Sequence, residues 1–159
     1  MRERLQWQQA TKNEDPAKAK KRRAPSRDLE HNEQVVLFNR IRTLALNDPR
    51  YALSARRTFA VPNGGGRSKR EAGRLKAEGV TSGVSDIFCS VARGGWHGLY
   101  IEMKAGDGRA TKEQALWIKE SILTGYAAVV CWSADEAMDV WRSYVDGVYP
   151  DPSFTAESR

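Results

Sequence analysis

Between Ser85 and Lys104 the chain reads Ser-Asp-Ile-Phe-Cys-Ser-Val, then a glycine-rich turn, then Gly-Leu-Tyr-Ile-Glu-Met-Lys. Two short apolar runs on either side of Arg93-Gly94-Gly95 predict a two-stranded hairpin. Strand side chains switch faces at every residue, so Glu102 and Lys104 lie on one face, and the hairpin can bring Asp86 beside them. Two acids and an ammonium then share a small space. Charges sent toward the covered face of a sheet need partners or a metal, and carboxylates beside an ammonium suit a hard divalent cation. With neither Cys nor His in the cluster, Mg²⁺ or Mn²⁺ is a more natural occupant than zinc. The pattern points to a metal-dependent hydrolase.

A chain of 159 residues has room for one domain and its tails, and enough surface to bury a core without disulfide or zinc staples. Its formal charge of +6 is unevenly spread: residues 1–28 hold nine Lys or Arg against four Asp or Glu, including Lys20-Lys21-Arg22-Arg23. A basic arm of this kind raises affinity for a polyanion, nucleic acid above all, by releasing condensed counterions. A solvated leader with no partner is the alternative for the arm alone. Cys89 and Cys131 fall in predicted strands and no Cys-x-x-Cys pair occurs, which suits a reducing compartment and argues against a zinc ribbon. The longest apolar stretch, Ala127 to Trp132, is too short to span a bilayer, and no secretory leader is recognisable. A cytoplasmic protein is expected.

The expected organisation is a basic arm over 1–28, a folded domain over 29–145 and a tail over 146–159. Leu37, Ile41 and Leu44 recur at helical spacing, with Asp28 as a plausible N-cap and Pro49 ending the run. Stepping that stripe backward lands on Glu33 and Glu30, so both carboxylates share the inward face. Arg57 to Val61 reads as a short strand, Pro62 to Arg67 as a glycine loop, and Ser68 to Glu78 as a short basic helix. Thr111-Lys112-Glu113-Gln114 matches a capping box opening a helix through Leu123, Tyr126 to Trp132 reads as a buried strand, and Ser133 caps a last helix. Helix, strand, helix, hairpin, helix, strand, helix is the order of a mixed α/β domain with helices flanking a central sheet.

An Asp at the head of one strand, fifteen intervening residues and Glu-x-Lys at the end of the next resemble the PD-(D/E)XK nuclease superfamily. Five segments taken in order narrow the likeness: Pro62-Asn63-Gly64-Gly65, Arg74 to Val80, Gly83-Val84-Ser85-Asp86, Ile101-Glu102-Met103-Lys104, and Gln114 with Gly125-Tyr126 after it. Together they resemble the VRR-NUC domain in its stand-alone, phage-encoded form, from about Leu29 to Val145. The resemblance implies a restriction-endonuclease-like core with a central mixed sheet. It also implies a Mg²⁺- or Mn²⁺-dependent DNA endonuclease acting on branched DNA such as Holliday junctions, often as a homodimer, in the host cell cytoplasm if the gene is a phage's.

By the same resemblance Asp86 and Glu102 would hold the metal, with the Met103 carbonyl as a further oxygen ligand. Lys104 would orient or help deprotonate the attacking water, and Gln114 would complete the site. The catalytic first-helix acid, a further ligand to the metal, would be Glu30 or Glu33; Glu30 is preferred because it stands one turn before Gln34. One departure is Ser85, which stands where many members have Pro. Asn63, Gly64, Gly65, Arg67, Lys69, Arg70 and Arg74 would meet the DNA backbone, joined by the arm residues Lys20, Lys21, Arg22 and Arg23.

Each residue also has a plainer reading. Asp86 can be a strand-end aspartate in turn hydrogen bonds, and Glu30 and Glu33 can be acids favoured near a helix N-terminus. Gln114 can be only the capping partner of Thr111. His31 and His97 read as surface or supporting residues. A rival for the whole chain is a DNA-binding or replication-accessory module whose acidic cluster does no chemistry, and an RNA-directed nuclease differs only in substrate.

Overall fold

The computed structural model describes residues 26–62 and 69–149. Helix α1 spans Ser26–Asn47, followed by a single 3-10 turn at Pro49–Tyr51, helix α2 at Ala52–Arg56 and strand β1 at Thr58–Ala60. Helix α3 covers Lys69–Ala77, β2 Ile87–Cys89, β3 Leu99–Met103, α4 Lys112–Leu123, β4 Ala127–Cys131 and α5 Ala134–Val145. The predicted order of elements is therefore present. The strands form one four-stranded sheet in the order β1-β2-β3-β4, antiparallel except for the parallel β3–β4 pair. That parallel pair is joined through α4, the helical crossover such a pair needs.

Local chemistry accounts for the element ends. Asp48 opens the 3-10 turn after α1 by accepting the main-chain N–H of Arg50 (3.0 Å), and Pro49 supplies the fixed φ of that turn. Between β2 and β3, Arg93 and Trp96 exchange main-chain hydrogen bonds across Gly94 (φ 55°) and Gly95 (φ 87°). Both central residues carry positive φ, the turn whose twist matches flanking antiparallel strands.

The core lies between one sheet face and helices α1 and α5. Leu37 and Ile41 of α1 are fully buried against Ile87, Ile101 and Met103 of the sheet and Trp141 and Tyr144 of α5. Burying each of those aliphatic side chains contributes roughly 1.5–3 kcal/mol. The polar tips of the aromatics are satisfied: Trp141 Nε1 donates to Thr58 Oγ1 (2.8 Å) and the Tyr144 hydroxyl to the Val91 carbonyl (2.7 Å). On the opposite face α4 lays Ile118 over Ala128 and Val130, a smaller cluster. Strand β4 is thus buried at all five positions, as its unbroken apolar run predicts. Cys89 and Cys131 are free and buried, and burial pushes the Cys131 thiol up. Among the described residues no helix is long and apolar enough to cross a membrane.

Four details differ from the sequence reading, the first being the 3-10 turn and helix α2, which stand between α1 and β1 where no element is expected. Helix α1 takes in Ser26 to Asp28, so Asp28 lies in the first turn instead of capping it. Asp86 sits one residue ahead of β2, in a bend, where its main-chain carbonyl accepts the Val61 N–H (2.7 Å) and its side chain accepts the Met103 N–H of β3. Beyond Val145 the chain still packs: Tyr149 lies edge-on to Trp96 and Tyr144 at ring distances of 5.6 and 5.9 Å.

Candidate active site

Glu102 and Lys104 follow each other on one sheet face because β3 alternates, and both are buried, Glu102 completely. Lys104 Nζ donates to Glu102 Oε1 (2.6 Å) and to the Met103 carbonyl (3.0 Å). The register pairs Ile87 with Ile101, which one step further sets Asp86 level with Glu102. Asp86 Oδ2 accepts the main-chain N–H of Met103 (2.9 Å), so the aspartate is fastened to the strand that carries the Glu-x-Lys.

Gln114 joins from the first turn of α4, donating through Nε2 to Glu102 Oε1. Two donors therefore converge on one oxygen of Glu102, while Oε2 is buried with no hydrogen-bond partner. Burial, and then the negative charge of Asp86, push the Glu102 carboxyl up to about 7, against the opposing pull of Lys104. A buried, unpartnered carboxylate oxygen beside a second carboxylate is the arrangement a cation would relieve. The donors in reach are carboxylate and carbonyl oxygens, which fit Mg²⁺ or Mn²⁺.

The cluster opens into a cavity of about 760 Å³ whose walls include Glu30 and Gln34 of α1, Asp86, Lys104, Thr111 and Gln114. The first-helix acids part company here. Glu30 faces this cavity, whereas Glu33 Oε2 accepts the main-chain N–H of Ala134 (2.6 Å) at the start of α5. Glu30 also borders the loop after β3: a Cβ on Gly108 would stand 3.4 Å from Glu30 Oε1 and 3.0 Å from the Ala105 carbonyl. That loop is held from the other side by Trp132 Nε1, which donates to the Gly108 carbonyl (2.9 Å). Among the described residues no three His, Cys, Asp or Glu side chains stand close enough to share one ion, so Glu30, Asp86 and Glu102 do not form one three-acid cluster.

Of the expected nucleic-acid contacts, Arg70 and Arg74 lie exposed on α3, with Arg74 paired to Glu78 (3.3 Å). Lys69 opens that helix. Asn63, Gly64, Gly65, Arg67, Lys20, Lys21, Arg22 and Arg23 lie outside the described residues. His97 is exposed with its ring against Tyr126 (5.6 Å), a packing contact away from the acids. Two further residues of the cavity wall carry no role in the sequence reading, His31 beside Glu30 and Glu113 beside Gln114. Their only signal in the sequence is adjacency to a candidate residue at a helix N-terminal turn. Ser85 is fully buried and its hydroxyl has no partner, so the position takes a side chain without polar duty.

No family model and no curated protein matches this chain. It is similar to a solved structure described as a VRR_NUC domain protein, with 26% identity, 77% of this chain and 92% of the other covered, and a TM-score of 0.58. The mixed four-stranded sheet flanked by helices accords with a PD-(D/E)XK-like fold.

Proposed function

We propose that this chain is a divalent-metal-dependent DNA endonuclease of the VRR-NUC type. The observation that carries the reading is Asp86 and Lys104 at the wall of one cavity, with Glu102 buried, hydrogen-bonded to Lys104 and left with Oε2 unpartnered. Likeness to a VRR_NUC domain protein supports it. Asp86, Glu102 and the Met103 carbonyl would hold Mg²⁺ or Mn²⁺, which when bound neutralises phosphate charge and acidifies a coordinated water. Lys104, at the cavity wall, stabilises negative charge developing on the phosphoryl oxygens and orients the attacking water. Gln114 holds the Glu102 carboxylate in place, and Glu30 offers an acceptor for water across the cavity.

The substrate in this reading is branched DNA. The exposed cations Arg70, Arg74 and Lys76 of α3, with the basic residues of 1–28 and Arg67, supply contacts to phosphates. One chain offers one such site, so symmetric incision of a four-way junction takes a homodimer. Buried free cysteines suit a reducing compartment such as the cytoplasm, the host's if the gene is a phage's.

The test is a panel of labelled single-stranded, duplex, flap, splayed-arm and four-way-junction DNA with Mg²⁺, Mn²⁺ or EDTA, with oligomeric state on DNA measured by sedimentation. Metal-dependent cutting that favours the junction, by a dimer, is expected. Tight binding without cutting under every metal would leave the accessory-module reading in its place.

A further inference from the structure

Gln114 makes two hydrogen bonds through opposite ends of one amide, and together they tie a helix cap to the acidic site. Oε1 accepts the main-chain N–H of Thr111 (2.8 Å), and Nε2 donates to Glu102 Oε1. Thr111 Oγ1 accepts the main-chain N–H of Gln114 (3.3 Å), which completes the capping box of α4. The two ends of an amide are nearly equal in size, so shape alone does not stop it from turning over. Turned over, Gln114 would set an acceptor against the Glu102 carboxylate and a donor against the Thr111 N–H, losing both bonds in a half-buried place.

We infer that Thr111 is a positioning residue of the acidic site: its main-chain N–H fixes the Gln114 amide so that the donor end faces Glu102. The carboxylate is then held at Oε1, with Oε2 left for a divalent cation. For its catalytic consequence this inference rests on the metal-nuclease reading. The hydrogen-bond relay itself does not.

Thr111 has two separable jobs. Its hydroxyl caps the helix, and its N–H orients the amide. Thr111→Ala removes the first and keeps the second. Thr111→Pro removes both, and the φ of −69° at Thr111 is one that proline adopts without strain. Both variants lack the same cap, so the difference between them reports the N–H. Gln114→Met keeps the side-chain length and removes both ends of the relay.

The experiment has two readouts on the full chain. One is the nitrogen-15 spectrum of the metal-free protein, in which the Gln114 side-chain amide is assigned by its disappearance in Gln114→Met. The other is Ca²⁺ affinity by calorimetry, Ca²⁺ being a hard cation for oxygen ligands. Wild type and Thr111→Ala should share a downfield, slowly exchanging Gln114 amide proton. Their Ca²⁺ affinities should agree within about twofold, while Thr111→Pro loses the signature and, with Gln114→Met, binds roughly tenfold more weakly or worse. A Thr111→Pro protein that keeps the amide signature and the affinity of Thr111→Ala overturns the inference. So does a Gln114→Met protein that binds Ca²⁺ like wild type, and this decides the matter if Thr111→Pro does not fold. Wild type that binds no Ca²⁺ would instead defeat the metal-nuclease reading, and the amide signature would still decide the relay.

Discussion

Glu102 is a charged group in a costly place: fully buried, with one oxygen doubly hydrogen-bonded and the other alone. Its carboxyl is raised from 4.5 to about 7, so the folded state binds its proton more tightly than the unfolded chain does. The stabilisation this gives is fully present below pH 4.5 and is lost as the pH rises through about 7. Metal-free protein should therefore lose thermal stability between pH 5 and pH 8, and Glu102→Gln should flatten that part of the profile. A melting series in EDTA checks this. The period-2 pattern of β3 is enough to place Glu102 and Lys104 on one face, and strand spacing is enough to bring Asp86 to them. The double engagement of Gln114 is not legible in the sequence, because a capping box states only that the side chain faces the helix end and says nothing about its other end.

At the scale of elements, Glu30 and Glu33 show what a helical stripe can and cannot say. The stripe through Leu37 and Ile41 puts both acids on the inward face, where the structure places them. Which acid meets the acidic site depends on where the N-terminus of α5 lies, and that is fixed by packing of α1 on α5 over residues about a hundred positions apart in sequence. Glu33→Ala should cost about 1–2 kcal/mol of stability by freeing the Ala134 N–H, and leave cleavage per folded molecule unchanged. Glu30→Ala should do the reverse, with little loss of stability and a fall in cleavage of at least roughly tenfold. Urea melts and single-turnover rates on the same preparations separate the two. Equal effects of both variants on cleavage would remove the distinction. Much of the fold is legible because most elements carry an end signal, such as Asp48-Pro49, Arg93-Gly94-Gly95 and the Thr111 and Ser133 caps, whereas α2, with no side-chain cap, carries none. The bend at Asp86 is likewise not legible, since its side chain bonds the main chain of another strand.

For the whole molecule, charge and chemistry are divided. The excess of positive charge sits in residues 1–28, while the acids of the site are gathered at one sheet face. Deleting residues 1–25, which leaves α1 whole, should weaken DNA binding and reduce its salt slope by roughly 0.7–0.9 for each phosphate the arm neutralises, without abolishing cleavage. An unchanged slope in salt titrations would take the arm out of the DNA interface. In the proposed function this acidic site hydrolyses phosphodiesters with a divalent ion. The most direct measurement is the single-turnover cleavage rate of a labelled four-way junction in Mg²⁺, for wild type, Asp86→Asn and Lys104→Ala, each shown to be folded. Wild type should cut, EDTA should stop it, and both variants should be slower by about a hundredfold or more. Folded variants that cut as fast as wild type would contradict this function.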